Sequence, residues 1–130
     1  MIDAALNGAV VFAKNVDRLT AFYRDAMSLA VTHEEPGLAV LEGNGVQLVL
    51  HAIPPHIADT FEIADPPVAR EDTAIKLFFR VADFDAARTA AAAHGGRFDP
   101  PEREWGARGF RACEGVDPEG NVVQIRTPAD

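Results

Sequence analysis

The chain is poor in several residue types: 130 residues include one cysteine, one tryptophan, one tyrosine and two methionines. A solitary Cys113 excludes an internal disulfide, agrees with a reducing compartment, and reads as a small buried hydrophobe in a strand. No apolar run approaches the roughly 20 residues that cross a bilayer. The opening MIDAALNGA has neither the basic flank nor the apolar segment of a secretion signal, so no membrane partner and a cytoplasmic location are the expectations. Basic residues are scarce as well. Twelve Lys and Arg against 20 Asp and Glu leave a formal net charge of -8, which argues against nucleic acid, because phosphate attraction supplies most sequence-independent affinity. Ser/His/Asp, Cys/His and phosphate-loop patterns are missing too; Gly43-Asn44-Gly45 is a hairpin signal instead. What is present, 48% hydrophobic and 25% charged residues, suits one soluble domain with a real core.

The organising stretch is Ala9 to Leu29, AVVFAKNVDRLTAFYRDAMSL. Ala9 to Lys14 has the β-branched and aromatic content of a strand, and Asn15 offers a capping oxygen to a helix beginning at Val16. Leu19, Phe22, Tyr23, Ala26 and Met27 then fall on one helical face. Sixty-eight residues later the grammar returns: Ile75 to Val81 as strand, Asp83 as cap, and Phe84 to His94 as an alanine-rich helix closed by Gly95 and Gly96. Two copies of one small module follow.

In chain order, Ala30 to Glu35, Leu38 to Glu42 and Val46 to Ile53 read as strands, with Asn44-Gly45 as a tight hairpin. Module 1, residues 1–53, is therefore β-α-β-β-β. Pro54-Pro55 ends it, and residues 54–73, with four prolines, form a linker docked by Ile57, Phe61 and Ile63, with His56 solvated. Module 2, residues 74–130, repeats the order: its strand and helix, then Arg97-Phe98, PPEREWG as a connection, Arg108 to Cys113, the turn DPEGN, and Asn121 to Thr127.

Alternation assigns faces. Ile75, Leu77, Phe79 and Val81 share the helix-covered face, leaving Lys76, Phe78 and Arg80 on the other. The same rule places Gly8, Val10, Phe12, Gln47, Val49, His51, Val122, Gln124 and Arg126 on that second face, half apolar and half polar. Taken alone, such a face is the solvated side of an antiparallel sheet.

KNVDRLTAFYRD, VADFDAARTAAAAHGG, EWGARGF and DPEGNVVQI, in that order, resemble the vicinal oxygen chelate superfamily of glyoxalases, bleomycin-resistance proteins and extradiol dioxygenases. The resemblance covers nearly the whole chain. It implies an α+β fold in which two βαβββ modules curl a mixed sheet around a shared cleft, as one domain over residues 1–130, in a homodimer. Two departures stand out. Ser28 occupies the place of a helix-ending glycine, and six residues, Arg111 to Val116, separate Phe110 from Asp117.

Members of the superfamily that bind a metal place His, Glu or Gln on the first and last strand of each module, on the cleft face. Carried over, those places are Gly8, Gln47 or Val49, Lys76 and Gln124. None is His or Glu, a glycine cannot ligate, and an ammonium repels a divalent ion. The expectation is a protein with no metal and no cofactor. It would sequester or sense a small anionic, partly aromatic ligand, held by Lys76 and Arg126 and packed on Phe12 and Phe78. Gln47, Val49, His51 and Gln124 would line the cleft and Trp105 its mouth. The alternative is an enzyme of the same superfamily: a metal-dependent lyase or dioxygenase using His51 and Glu104, or a proton-transfer catalyst using Lys76 or His51. His33 lies outside the ligand set, His94 suits a helix C-terminus, and Glu104 and Arg108 are expected to form a rim pair.

Overall fold

A computed structural model describes residues 3–129. In the first half, strand β1 (Gly8–Ala13) leads into helix α1 (Val16–Ala26), followed by β2 (Ala30–Glu35), β3 (Leu38–Gly43) and β4 (Val46–Ala52). These strands form one mixed sheet in the order β1-β4-β3-β2, with β1 parallel to β4. In the second half β5 (Leu77–Arg80) precedes helix α3 (Phe84–Ala93), β6 (Arg97–Phe98), β7 (Trp105–Ala107), β8 (Phe110–Val116) and β9 (Val122–Pro128). Their order is β5-β9-β8-β6, β7 also pairs with β8, and β5 runs parallel to β9. The fold is α+β with two open mixed sheets, and the repeat read from the sequence is real.

Local chemistry accounts for the elements. Asn15 Oδ1 accepts the Arg18 N–H at 3.0 Å, and Asp83 Oδ1 accepts from Asp85 and Ala86 at 2.8 and 3.2 Å, so each helix starts on a side-chain cap. Asn44 and Gly45 both take positive φ, 54° and 82°, as a two-residue hairpin between right-twisted strands requires. Ser28 adopts φ 55°, the left-handed geometry of the glycine it replaces.

Several boundaries moved. Residues 54–73 contain a one-turn helix, α2 (Pro55–Ala58), and Ile57 is 46% exposed rather than docked, whereas Phe61 and Ile63 are half-buried. PPEREWG holds a 3-10 turn (Pro101–Arg103) and then enters β7. β5 starts at Leu77, where pairing with Val123 begins, so Ile75 is 75% exposed instead of covered. The strand expected over 108–113 runs over Phe110–Val116. Arg108 and Gly109, at φ 39° and 84°, make the turn before it, and the six residues before Asp117 stay in unbroken register with β9.

One cluster of buried side chains draws on both halves: Leu19, Phe22, Tyr23, Leu41 and Leu50 meet Phe84, Phe98, Val123 and Ile125. Each such side chain, fully buried, contributes about 1.5–3 kcal/mol. α1 lies against α3, β3 and β4, while the Tyr23 ring reaches Phe79 of β5 at 5.6 Å between centroids. The halves are therefore joined through their helix-covered sides.

The DPEGN turn fastens this junction, beyond its expected role as a reversal. Fully buried Asp117 accepts the Tyr23 hydroxyl at 2.7 Å, Asn121 Nδ2 at 2.8 Å, and the N–H groups of Glu119 and Asn121 at 2.9 and 3.0 Å. Glu119 in turn accepts the N–H groups of Lys14 and Asn15 at 2.9 and 2.8 Å, at the β1–α1 corner. Burial, and then the neighbouring Asp117 charge, push the Tyr23 hydroxyl well above its ordinary pKa, so it remains the donor.

Candidate functional site

Because the helix sides meet, the opposite face of each sheet is left open. Val10, Phe12 and Phe78 are 56, 59 and 58% exposed, far more than large apolar groups in a closed cleft. Alternation had assigned these side chains to the right faces. What it did not supply is that the halves join through their helix-covered sides, which leaves the two sheets open and separate within one chain. Two hollows lie elsewhere. One of about 180 Å³ sits between Lys14, Arg18, Glu62 and Glu119, another of about 240 Å³ beside Asp17 and Glu34.

The first sheet contributes Phe12, Gln47, Val49 and His51. Phe12 lies beside His51 across the β1–β4 register, with ring centroids 5.6 Å apart. Gln47 Nε2 donates to Glu42 Oε1 at 2.7 Å, which occupies it within the strand pair. His51 Nδ1 sits 2.8 Å from the Ala52 carbonyl oxygen. A carbonyl only accepts, so Nδ1 is the donor in this bond.

The second sheet gathers Lys76, Phe78, Trp105, Gln124 and Arg126, and adds two residues that sequence reasoning missed, Glu114 and Phe110. Glu114 is the hub. Its Oε1 accepts Lys76 Nζ at 2.5 Å, and Oε2 accepts Trp105 Nε1 at 3.1 Å and Gln124 Nε2 at 2.9 Å. Partial burial alone would raise its pKa. The donors from Lys76, Gln124 and Trp105 outweigh that and hold the carboxyl below its ordinary value. Gln124, 3% exposed, uses its other end to accept Arg126 Nε. The guanidinium carbon of Arg126 lies 3.7 Å from the Phe78 ring centre and 4.2 Å from that of Phe110. Trp105 closes the row edge-on to Phe110 at 5.7 Å. Glu114 was legible in principle. Carrying the alternation of Phe110 and Ala112 one residue past Cys113, where the strand was expected to stop, puts its carboxylate on this face.

The donor set does not suit a divalent ion. Val10 stands beside Val49 as Phe78 stands beside Gln124, which makes Val49, not Gln47, the counterpart of Gln124. Gly8 cannot even carry a side chain, since a Cβ there would lie 2.1 Å from the Gln47 carbonyl oxygen. Among the described residues no three His, Cys, Asp or Glu converge as a metal cluster. Glu114, the one acid at the centre of the face, has both oxygens engaged.

Two other expectations change. Glu104 pairs with Arg88 and, at 3.3 Å, with Arg111, rather than with Arg108, on the helix-covered side. There Arg88 also reaches Cys113 Sγ at 3.6 Å, and burial raises the thiol pKa. His94 Nε2 meets Asp25 Oδ2 at 2.7 Å, a tie between the two helices as well as a helix end.

The family model described as Glyoxalase/Bleomycin resistance protein/Dioxygenase superfamily matches residues 5–125. The chain belongs to that superfamily. No curated protein matches it in sequence. Among solved structures, a glyoxalase/bleomycin resistance protein/dioxygenase family enzyme from Burkholderia phytofirmans PsJN superposes with TM-score 0.67 at 18% identity, over 97% of this chain and 100% of that one. TnmS3, an antibiotic binding protein from Streptomyces sp. CB03234, gives 0.65 at 20% identity, covering 99% of each chain. Fosfomycin resistance protein FosX from Mesorhizobium loti gives 0.66 at 12%, over 99% and 95%. At these identities the shared property is the fold.

Proposed function

We propose that this superfamily member is a metal-free small-molecule-binding protein, sequestering or sensing its ligand in the cytoplasm, and that a second copy completes the cleft. The observation that carries the reading is the second sheet's open face: acid, amide and guanidinium are locked to one another between aromatic rings, with no set of metal donors. Binding without turnover needs such a pre-ordered surface and nothing more. That TnmS3 binds an antibiotic and FosX confers fosfomycin resistance gives this reading company among chains of the same fold.

The open faces support the homodimer. Val10, Phe12 and Phe78 are exposed in one copy, and apposing the first sheet of one copy to the second sheet of another would bury them and bring His51 toward Arg126. His51 also favours one enzymatic reading over the others, because its Nδ1 is held by the Ala52 carbonyl, which leaves Nε2 as the nitrogen a metal-independent proton-transfer catalyst would use.

The test has two parts. Protein purified without chelator is assayed for metal and screened by thermal shift against a varied small-molecule library, with Phe78→Ser as the comparison. Expected are substoichiometric metal and stabilising compounds whose effect is lost in Phe78→Ser; near-stoichiometric metal held in the cleft refutes the metal-free reading. Sedimentation at micromolar concentration is expected to give a dimer, and a monomer would remove the shared cleft.

A further inference from the structure

Arg80 and Arg126 stand side by side on the open face of the second sheet, and among the described residues no acid neutralises either. They are register partners on parallel strands, so their Cα atoms lie about 5 Å apart and both side chains leave by the face of Phe78 and Gln124. Like charges directly opposite on a sheet destabilise it. Carboxylates are not in short supply, with 20 Asp and Glu in the chain, and Lys76 nearby does take one, Glu114. Among the described residues no ion pair uses Arg80 or Arg126.

Arg126 is also held still. Its guanidinium carbon lies over the rings of both Phe78 and Phe110, and Nε is spent on Gln124, which Glu114 fixes in turn. What remains is the edge with Nη1 and Nη2, two parallel donors that make no hydrogen bond among the described residues. Ordering a long side chain costs rotamer entropy, and here the donors so ordered serve no partner among the described residues.

We infer that Arg80 and Arg126 bind the carboxylate of a planar, apolar-bodied organic acid. Arg126 grips both oxygens, Arg80 adds the second positive charge, and the body of the ligand lies on Phe78. Phosphate suits the place less well. Phosphate sites recruit backbone N–H groups, and along the paired stretches of β5, β8 and β9 those groups are committed to the sheet ladder. Lys76, already neutralised by Glu114, is a support for the relay more than the anchor. This inference rests on the binding-protein reading and names the chemistry of its ligand.

The experiment is calorimetric titration of the intact protein at pH 7 and fixed salt with 2-naphthoate, its neutral amide 2-naphthamide, and inorganic phosphate. Naphthoate should bind at least about tenfold tighter than the amide, and Arg126→Gln and Arg80→Gln should each weaken it by about tenfold or more. Arg24→Gln on α1, which makes the same change in net charge, should leave it unmoved. Exposed Arg80 can be replaced without disturbing the core, and unfolding midpoints of all variants check this. Equal binding of acid and amide, unchanged affinity in both arginine variants, phosphate binding as tightly as naphthoate, or no binding of naphthoate would each overturn the inference. Neutral compounds lost in Phe78→Ser but kept in the arginine variants would overturn it while leaving the binding-protein reading intact. Stoichiometric cleft metal would instead refute the metal-free reading on which the inference rests.

Discussion

The open faces of the two sheets are built on one plan and filled in opposite ways. Val10 beside Val49 in the first corresponds to Phe78 beside Gln124 in the second, and Phe12 beside His51 corresponds to Arg80 beside Arg126. The strands of the first sheet carry no lysine or arginine, and Gln47 and His51 satisfy local partners. The second holds a chain of hydrogen bonds from Lys76 through Glu114 and Gln124 to Arg126. A duplicated backbone thus supplied two equivalent surfaces, and side chains alone made one a wall and the other a recognition surface. Only the second has donors ordered beyond what folding needs.

The sharpest way to break the comparison is at the matched positions Gly8 and Lys76. Gly8→Ala puts a Cβ against the Gln47 carbonyl oxygen and should cost about 3 kcal/mol. Lys76→Ala breaks only a half-exposed ion pair and should cost about 1 kcal/mol or less. Urea unfolding of both variants gives the two numbers, and equal costs would erase the asymmetry.

Glu114→Gln comes next. It should lower stability at pH 7 by about 1–2 kcal/mol, since three donors lose a charged acceptor, whereas His51→Ala on the other face should change it by about 0.5 kcal/mol or less. Here pH sharpens the contrast. The folded pKa of Glu114 is depressed, so its contribution is present above the unfolded value, about 4.3, and is lost as pH falls through the folded one. The gap between wild type and Glu114→Gln should therefore shrink from pH 7 to pH 3. A constant gap would show that the carboxylate charge contributes nothing.

The smallest effect compares the turns that close the two helices. Ser28 carries φ 55° where the second module has Gly95 at φ 85°. Ser28→Gly should stabilise by about 0.5–1 kcal/mol by removing a left-handed Cβ penalty. Gly95→Ser should destabilise by more, because a Cβ there would meet the Arg18 guanidinium at 2.1 Å as well. Thermal midpoints of the pair measure both signs, and a drop on Ser28→Gly would contradict the assignment.

Much was legible because it is local. The caps Asn15 and Asp83, the Asn44-Gly45 hairpin and the strand periodicity are set by near neighbours, and they carried the repeated modules and the shared face of Val10, Phe12 and Phe78. Glu114 was missed because its place depends on how far β8 stays paired with β9, a property of the partner strand. The Glu104 pairing was misread for a like reason: Arg88 comes from α3, sixteen residues earlier in the chain.

By itself, then, the sequence determined the two modules and the faces of most of their strand residues, because alternation and residue chemistry need no knowledge of the rest of the molecule. The tertiary structure alone decided that the helix sides join and the other faces stay open, and that Glu114, Gln124 and Arg126 form one relay. Those outcomes depend on which surfaces bury each other, and on atoms from separate strands meeting within hydrogen-bond distance.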